Sequence, residues 1–243
     1  LLINAVIESI VMPRPPGSEN LNDASCTTLD LARGARLTST GIPPVTNSRP
    51  YGIKLSPVDG APWFACTGRG CIVRIDPKTN TTEETEIPTR QPRAQVPSRF
   101  PRPNRPSLWW GDQHLWSNPP YNPADPHNPM LDSKGRVWLT SKIRANQNPA
   151  WCSDGTANRF AEWYPVKASG RQAAYYDPRS KQFALIDTCY ATHHLQFDND
   201  ANETVYFNEL SGPLVGWVNT KVYDETKDEQ KAVGWCGQVV DTN

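Results

Sequence analysis

Three segments of the chain share one pattern, and this repetition constrains the fold more than any other feature. The first copy spans residues 51–88, where alternating apolar positions lead to a turn and a second strand ends in another turn. The copies open at Tyr51, His127 and His194, and each carries an aromatic residue eleven or twelve positions later (Trp63, Trp138 and Tyr206). Such units, with a turn and an aromatic residue each, are typical of propeller blades. The sequence therefore predicts an all-β fold, a β-propeller of four-stranded antiparallel blades.

The spacing of the copies predicts insertions between blades. The openings lie 76 and 67 residues apart, which exceeds the roughly 40–50 residues of one blade. We expect insertions at 88–125 and 142–170, and the second is a candidate lid because long insertions lie on one rim of a propeller. Residues 1–50 are expected to form an N-terminal strand, linker or degenerate blade, and 51–243 the blades. The chain ends where a strand and turn begin, so we expect an incomplete ring from a longer polypeptide.

Composition and motif content exclude several classes of function. Lys and Arg (25) balance Asp and Glu (25), so no overall charge favours a nucleic-acid partner. No span reaches the roughly 18 apolar residues of a membrane helix. The sequence has no GxSxG, P-loop or GxGxxG motif, which disfavours serine hydrolase, phosphoryl-transfer and dinucleotide chemistry. It also has no nucleotide, haem or flavin motif.

The cysteines favour an oxidising compartment. Six are present, and the short glycine-containing loop between Cys66 and Cys71 predicts a disulfide across a hairpin. The other four allow three pairings, one of which, Cys152 with Cys189, would clamp the second insertion; these four are Cys26, Cys152, Cys189 and Cys236. Disulfides predict a secreted or periplasmic protein. The alternative is a cytosolic protein with buried thiols.

The residues that open the copies are the first candidates for a site. If each begins the innermost strand of its blade, then Tyr51, His127 and His194 meet at the mouth of the central channel. Imidazoles can act there as acid, base or metal ligand. Side chains alternate along a strand, so His193 is expected to point away from His194. Asp125 adds a carboxylate, and we predict that His127, His194 and Asp125 bind a divalent ion, Mg²⁺ or Ca²⁺.

Two further features extend the candidate site. Arg144 follows its blade's Trp by six positions, and its guanidinium could clamp a carboxylate or an oxyanion, although a structural role is the alternative. A tract rich in Pro and Arg spans residues 88–107. The aromatic segment that follows it, residues 107–116, either fills the core between blades or forms a stacking platform for a ligand. Its candidate ligand-binding residues are Trp109, Trp110, His114 and Trp116, and Tyr51 at the channel mouth is a further candidate ligand-binding residue.

Several motifs resemble blades of the streptogramin (virginiamycin B) lyase-like β-propeller family. They are Pro50-Tyr51-Gly52, Pro126-His127-Asn128, Arg74-Ile75-Asp76-Pro77-Lys78-Thr79 and Gly135-Arg136-Val137-Trp138-Leu139-Thr140. The resemblance covers about half of residues 51–221. The resemblance implies a seven-bladed ring. It also implies, for lyase members, elimination that opens a cyclic depsipeptide lactone with a central His as base and Mg²⁺. Only His127 and His194 take the opening position here.

Two functions therefore remain open. The first is a binding or scaffold module with a polar central funnel, whose partner is a small molecule, a carbohydrate or polymer, or another domain of a longer polypeptide. The second is a metal-assisted lyase or hydrolase that acts on a cyclic ester or polysaccharide-like substrate. The family resemblance favours a carbon–oxygen lyase. In this enzyme His127 or His194 would be the base and Arg144 the oxyanion partner. No compact catalytic motif is visible, which favours binding.

Overall fold

The computed structural model describes residues 50–67, 70–79, 81–96, 122–153, 158, 160–161, 169–210, 212 and 214–237. The predictions that concern Cys26, Trp109, Trp110, His114 and Trp116 lie outside these residues, as does the side chain of Tyr51. Among the described residues, no helix is both long and apolar enough to cross a membrane.

The described chain forms three antiparallel sheets of four strands each, in sequence order from one edge to the other. Blade 1 contains β1 (Pro50–Leu55), β2 (Pro62–Cys66), β3 (Cys71–Asp76) and β4 (Thr81–Glu86). Blade 2 contains β5 (His127–Leu131), β6 (Val137–Lys142), β7 (Arg171–Asp177) and β8 (Gln182–Ile186). Blade 3 contains β9 (Thr192–Phe197), β10 (Val205–Glu209), β11 (Leu214–Val218) and β12 (Val233–Gly237).

The first strand of each blade is the innermost. Strand β1 lies beside β5, and β5 lies beside β9, so the three sheets form consecutive blades of a propeller arc. This arrangement confirms the predicted fold class.

Two of the three aromatic anchors (Trp63, Trp138 and Tyr206) pack against the next blade. Trp63 lies in an apolar cluster with blade 2 and its ring centroid is 5.8 Å from that of Tyr176. Trp138 belongs to the cluster shared with blade 3 and lies 6.1 Å from Phe197. Tyr206 occupies the matching position in blade 3 and is 39% exposed. Trp63 and Trp138 therefore face the same direction around the arc.

Short helices or 3₁₀ turns occur in three connections of the described chain. The segment between β6 and β7 contains a 3₁₀ turn at Ala150–Cys152, as the predicted insertion requires. Between β11 and β12 the chain forms α1 (Thr220–Thr226) and α2 (Glu229–Ala232), where the repeat pattern predicted a turn. Asn219 starts α1 because its side chain accepts a hydrogen bond from the Val222 N–H. A further 3₁₀ turn spans Arg93–Gln95.

The disulfide pattern is only partly as predicted. Cys152 and Cys189 are bonded, with their Cα atoms 5.3 Å apart, and they fix the insertion to the segment after β8. Cys66 and Cys71 are opposite each other across β2 and β3 but are both buried thiols. They pack with Val73 as small apolar side chains, so the predicted Cys66–Cys71 bond is wrong. Cys236 is an exposed thiol, not a disulfide cysteine.

Candidate functional site

An irregularity near the start of each inner strand shapes the candidate site. The register of β1 against β2 shifts between Tyr51 and Ile53, and that of β5 against β6 shifts after His127. The extra residues include Gly52 at φ +61° and Asn128 at φ +47°. Gly and Asn tolerate this left-handed region best. The Pro-Tyr-Gly and Pro-His-Asn openings are therefore sequences that suit a β-bulge.

The third bulge brings two histidines to the same side of the sheet. Thr192 is opposite Glu209 and Leu195 is opposite Phe207, so His193 and His194 together face Asn208. A bulge interrupts the alternation of side chains along a strand. The imidazole centroids of His193 and His194 are 4.2 Å apart, so the prediction that these two side chains point to opposite sides is wrong.

His127 completes a group that we call the imidazole cluster (His127, His193 and His194). The rings of His127 and His193 are stacked with centroids 4.7 Å apart, and the His194 ring approaches His127 edge-on at 5.1 Å. One nitrogen from each ring can be chosen so that all three lie within 4.8 Å of one another. His194 is exposed and the other two are half-buried. The cluster thus joins blades 2 and 3 and opens to solvent on one side.

Hydrogen bonds fix the backbone that carries these imidazoles. The fully buried Thr140 hydroxyl donates to the His193 carbonyl oxygen at 2.7 Å and lies 3.4 Å from that of His127. The Asn128 side chain donates to the Leu195 carbonyl oxygen at 3.0 Å. These bonds hold β5 beside β9 at the level of the cluster.

In blade 3, Asn208 supplies a further hydrogen bond to the backbone of the cluster. The His194 N–H donates to the Asn208 Oδ1 at 2.8 Å. Asn208 is the residue on β10 that faces the bulge. Its side chain therefore accepts from a backbone N–H that the bulge removes from the regular ladder, and it fixes the backbone of His194.

Asp125 does not join the cluster. Its carboxylate forms a buried ion pair with Arg171 at 3.1 Å, and the same guanidinium nitrogen donates to the Asp125 carbonyl oxygen at 2.8 Å. Asp125 adopts φ +43° in the segment before β5. Its carboxylate therefore neutralises a buried arginine, which corrects its prediction as a metal ligand.

Arg144 has a structural role, and its prediction as an oxyanion partner is wrong. It is 2% exposed, and its Nε donates to Asp187 at 2.9 Å. The remaining guanidinium nitrogens donate to oxygen atoms of the insertion and of Thr188. Burial lowers the pKa of Arg144, although Asp187 opposes that shift. These contacts fix the second insertion to the rim of blade 2.

The donor set of the cluster argues against Mg²⁺ and Ca²⁺. Both ions prefer oxygen ligands, whereas the group that the described residues form offers three imidazole nitrogens. Asp125, the carboxylate expected to contribute oxygen, is committed to Arg171. The residues at this site therefore do not fit the ion that the family resemblance implies.

Comparisons with known proteins give the following likenesses. The sequence matches no family model and no curated protein. It is similar in structure to an extracellular domain from B. thetaiotaomicron (10% identity, 71% of this chain, 17% of that chain, TM-score 0.36). It is also similar to virginiamycin B lyase from Staphylococcus aureus (16% identity, 80% and 57%, TM-score 0.33). A third is the calcium-binding protein regucalcin from Agrobacterium tumefaciens (10% identity, 70% and 53%, TM-score 0.29).

The chain covers between 17% and 57% of the length of these three proteins. The three described sheets and their order define the fold. The lyase bears the name of the family that the blade motifs resemble. The chain is therefore an arc of β-propeller blades that resembles the streptogramin lyase-like family in its blade motifs.

Proposed function

We propose that this chain is an extracellular or periplasmic β-propeller module that binds its ligand at the imidazole cluster. The observation that carries the proposal is the bulge in β9, which places His193 and His194 on the same side, next to His127. A regular strand would separate the first two. Bulges often re-aim side chains beside functional sites, and here the bulge gathers three polar rings where the inner strands begin.

The disulfide supports the location. Cys152 and Cys189 are bonded, and such bonds persist mainly in secreted and periplasmic proteins. The bond joins the insertion after β6 to the segment after β8.

The chemistry of the cluster favours a polar ligand. Imidazole rings donate and accept hydrogen bonds and also offer flat faces for stacking. A small molecule, a carbohydrate or polymer, or another domain of a longer polypeptide fits these properties. The exposure of His194 gives such a ligand access from solvent.

A metal-assisted lyase or hydrolase is the second candidate, and the exposed imidazole of His194 is what favours it. Elimination needs a base together with a group that stabilises the developing negative charge. The guanidinium of Arg144, the predicted stabilising group, donates instead to Asp187 and to the insertion. This loss makes binding the better-supported function.

The test uses histidine-labelled protein and NMR of the imidazole resonances. Polygalacturonate, dextran, chitohexaose and a cyclic depsipeptide lactone are titrated separately. We expect at least one probe to shift the cluster resonances, and His193→Ala to abolish its binding. Gln196→Ala is the matched control because this exposed residue lies on the same strand.

Three results bear on the choice between functions. Binding that survives His193→Ala and leaves the imidazoles unshifted places the ligand elsewhere and refutes the proposed site. A complete lack of response to all four probes refutes the small-molecule and carbohydrate or polymer ligands. Conversion of the lactone, followed by chromatography and lost in His194→Ala, would replace the binding function with the lyase.

A further inference from the structure

We infer that the imidazole cluster is a centre for a divalent transition-metal ion that prefers nitrogen ligands, such as Zn²⁺, Ni²⁺ or Cu²⁺. The inference rests on the proposed function for the location of the site, and it deepens that function by naming the first ligand. It replaces the expected Mg²⁺ or Ca²⁺. It also adds His193, which strand alternation excluded.

The spacing of the nitrogens fits such an ion after small ring movements. Zn²⁺ binds imidazole nitrogen at about 2.0–2.1 Å in tetrahedral geometry, which places neighbouring ligand atoms roughly 3.3 Å apart. The three candidate nitrogens already lie within 4.8 Å of one another. Each pair must therefore close by at most about 1.5 Å, which rotation of the rings about their χ angles can supply.

The ligand types select the class of ion. Imidazole suits Zn²⁺, Cu²⁺ and Ni²⁺, whereas carboxylate, carbonyl and water suit Mg²⁺ and Ca²⁺. Three protein ligands with one open position are typical of accessible zinc sites. His194 is exposed, so the open position would face solvent and accept an oxygen or nitrogen atom of a further ligand.

The surroundings hold the ligands in place before any ion arrives. The Thr140 hydroxyl anchors the backbone of His193, and Asn208 holds the backbone N–H of His194. Asn128 joins β5 to β9 one residue after His127. A site whose backbone is already fixed needs only side-chain rotation on binding. Because its ligands come from two blades, the ion would also link blade 2 to blade 3.

Isothermal titration calorimetry with metal salts alone tests the inference. The full chain is used without a polyhistidine tag and with Cys236→Ser, because that exposed thiol is a competing ligand. We expect one Zn²⁺ per chain, and no heat from MgCl₂ or CaCl₂. His127→Ala, His193→Ala and His194→Ala should each weaken Zn²⁺ binding by at least about 10–100-fold, the loss caused by removing even an outer partner of a ligand. Gln196→Ala should bind as the parent does.

Several results would overturn the inference. These are the absence of stoichiometric Zn²⁺ binding, binding that survives His193→Ala, and a preference for Mg²⁺ or Ca²⁺. If an alanine variant fails to fold, X-ray absorption of the Zn²⁺-loaded parent decides. Three imidazoles in its coordination shell are required, and a sulfur ligand or an oxygen-only shell refutes the site.

The two proposals can fail separately. A chain that binds Zn²⁺ but none of the four organic probes keeps the metal centre and loses the small-molecule and carbohydrate or polymer ligands. A chain that binds a probe through His193 but no metal salt keeps the binding function and loses the metal centre.

Discussion

The Cys152–Cys189 disulfide should provide a large share of the stability of this chain. The two cysteines are 37 residues apart in sequence. The loop-closure relation for a loop of this length gives about 4 kcal/mol, because the bond removes conformations from the unfolded chain. The native hydrogen bonds of the insertion do not reduce this contribution, since it arises in the unfolded state. For a chain of this size the loss corresponds to a fall in Tm of about 8–16 °C.

Urea unfolding followed by tryptophan fluorescence measures this contribution. The oxidised parent is compared with the parent in a phosphine reductant and with the double variant Cys152→Ala/Cys189→Ala. Cys236→Ala is the matched control, and its free energy of unfolding should stay within about 0.5 kcal/mol of the parent because this residue is exposed.

Two outcomes would refute the reasoning. A loss of less than about 1 kcal/mol in the double variant would mean that the closed loop does not restrict the unfolded chain as the relation requires. A further loss when the reductant is added to the double variant would reveal a second disulfide. That result would contradict the thiol state of Cys66, Cys71 and Cys236.

Two more predictions concern the ion pairs of the turns. Asp132→Ala should destabilise the chain by about 3–5 kcal/mol, because the buried Arg136 loses one of its two carboxylate partners and the buried Trp138 N–H loses its acceptor. Asp177→Ala, in a more exposed turn of the same blade, should cost less than about 1 kcal/mol. Equal losses in urea unfolding would contradict this prediction. Burial alone would raise the pKa of Asp59, but hydrogen bonds, above all from Arg74, lower it to about 2. Since this folded-state pKa lies below the unfolded value of about 3.9, the stabilisation is present above that pH and is lost as pH falls toward about 2. Asp59→Asn should therefore lose less stability than the parent over this interval, and parallel curves of unfolding free energy against pH would contradict the prediction.

The repeat pattern was sufficient to predict the blades because equal spacing in the sequence reflects regular pairing between neighbouring strands. Trp63 and Trp138 occupy equivalent positions, opposite residues three positions after Tyr51 and His127. Because the two tryptophans lie at the same position in their copies, they predicted the same strand order for blades 1 and 2. The third anchor, Tyr206, predicted the sheet but not the exposure, because exposure depends on what covers that face.

The composition of the site was harder to predict because it depends on irregular backbone. Strand alternation separated His193 from His194, and only the register between Thr192 and Leu195 shows the bulge that unites them. Gly and Asn mark the bulges in blades 1 and 2, but no such residue marks the one in blade 3. Two histidines in succession at a blade opening were the remaining signal.

Long-range pairing accounts for the other differences. Arg144 donates to Asp187, which is 43 residues away, and Asp125 pairs with Arg171, 46 residues away. Spacing within a repeat cannot report such contacts, because the insertion between β6 and β7 separates the two partners of each pair in the sequence.

Contacts at the rim give the arc a defined curvature. Arg90, which follows blade 1, contacts Asp187 at 3.4 Å and Glu229 of α2 at 2.5 Å, so one guanidinium spans the outer ends of all three blades. Near the axis, Thr140 holds β5 beside β9. Blades that touch only near the propeller axis could rotate against one another. Contacts both near the axis and at the rim fix the angle between neighbouring blades. A further blade that packs against the face of blade 3 that carries Tyr206 would therefore contact a sheet whose angle to blade 2 is already fixed.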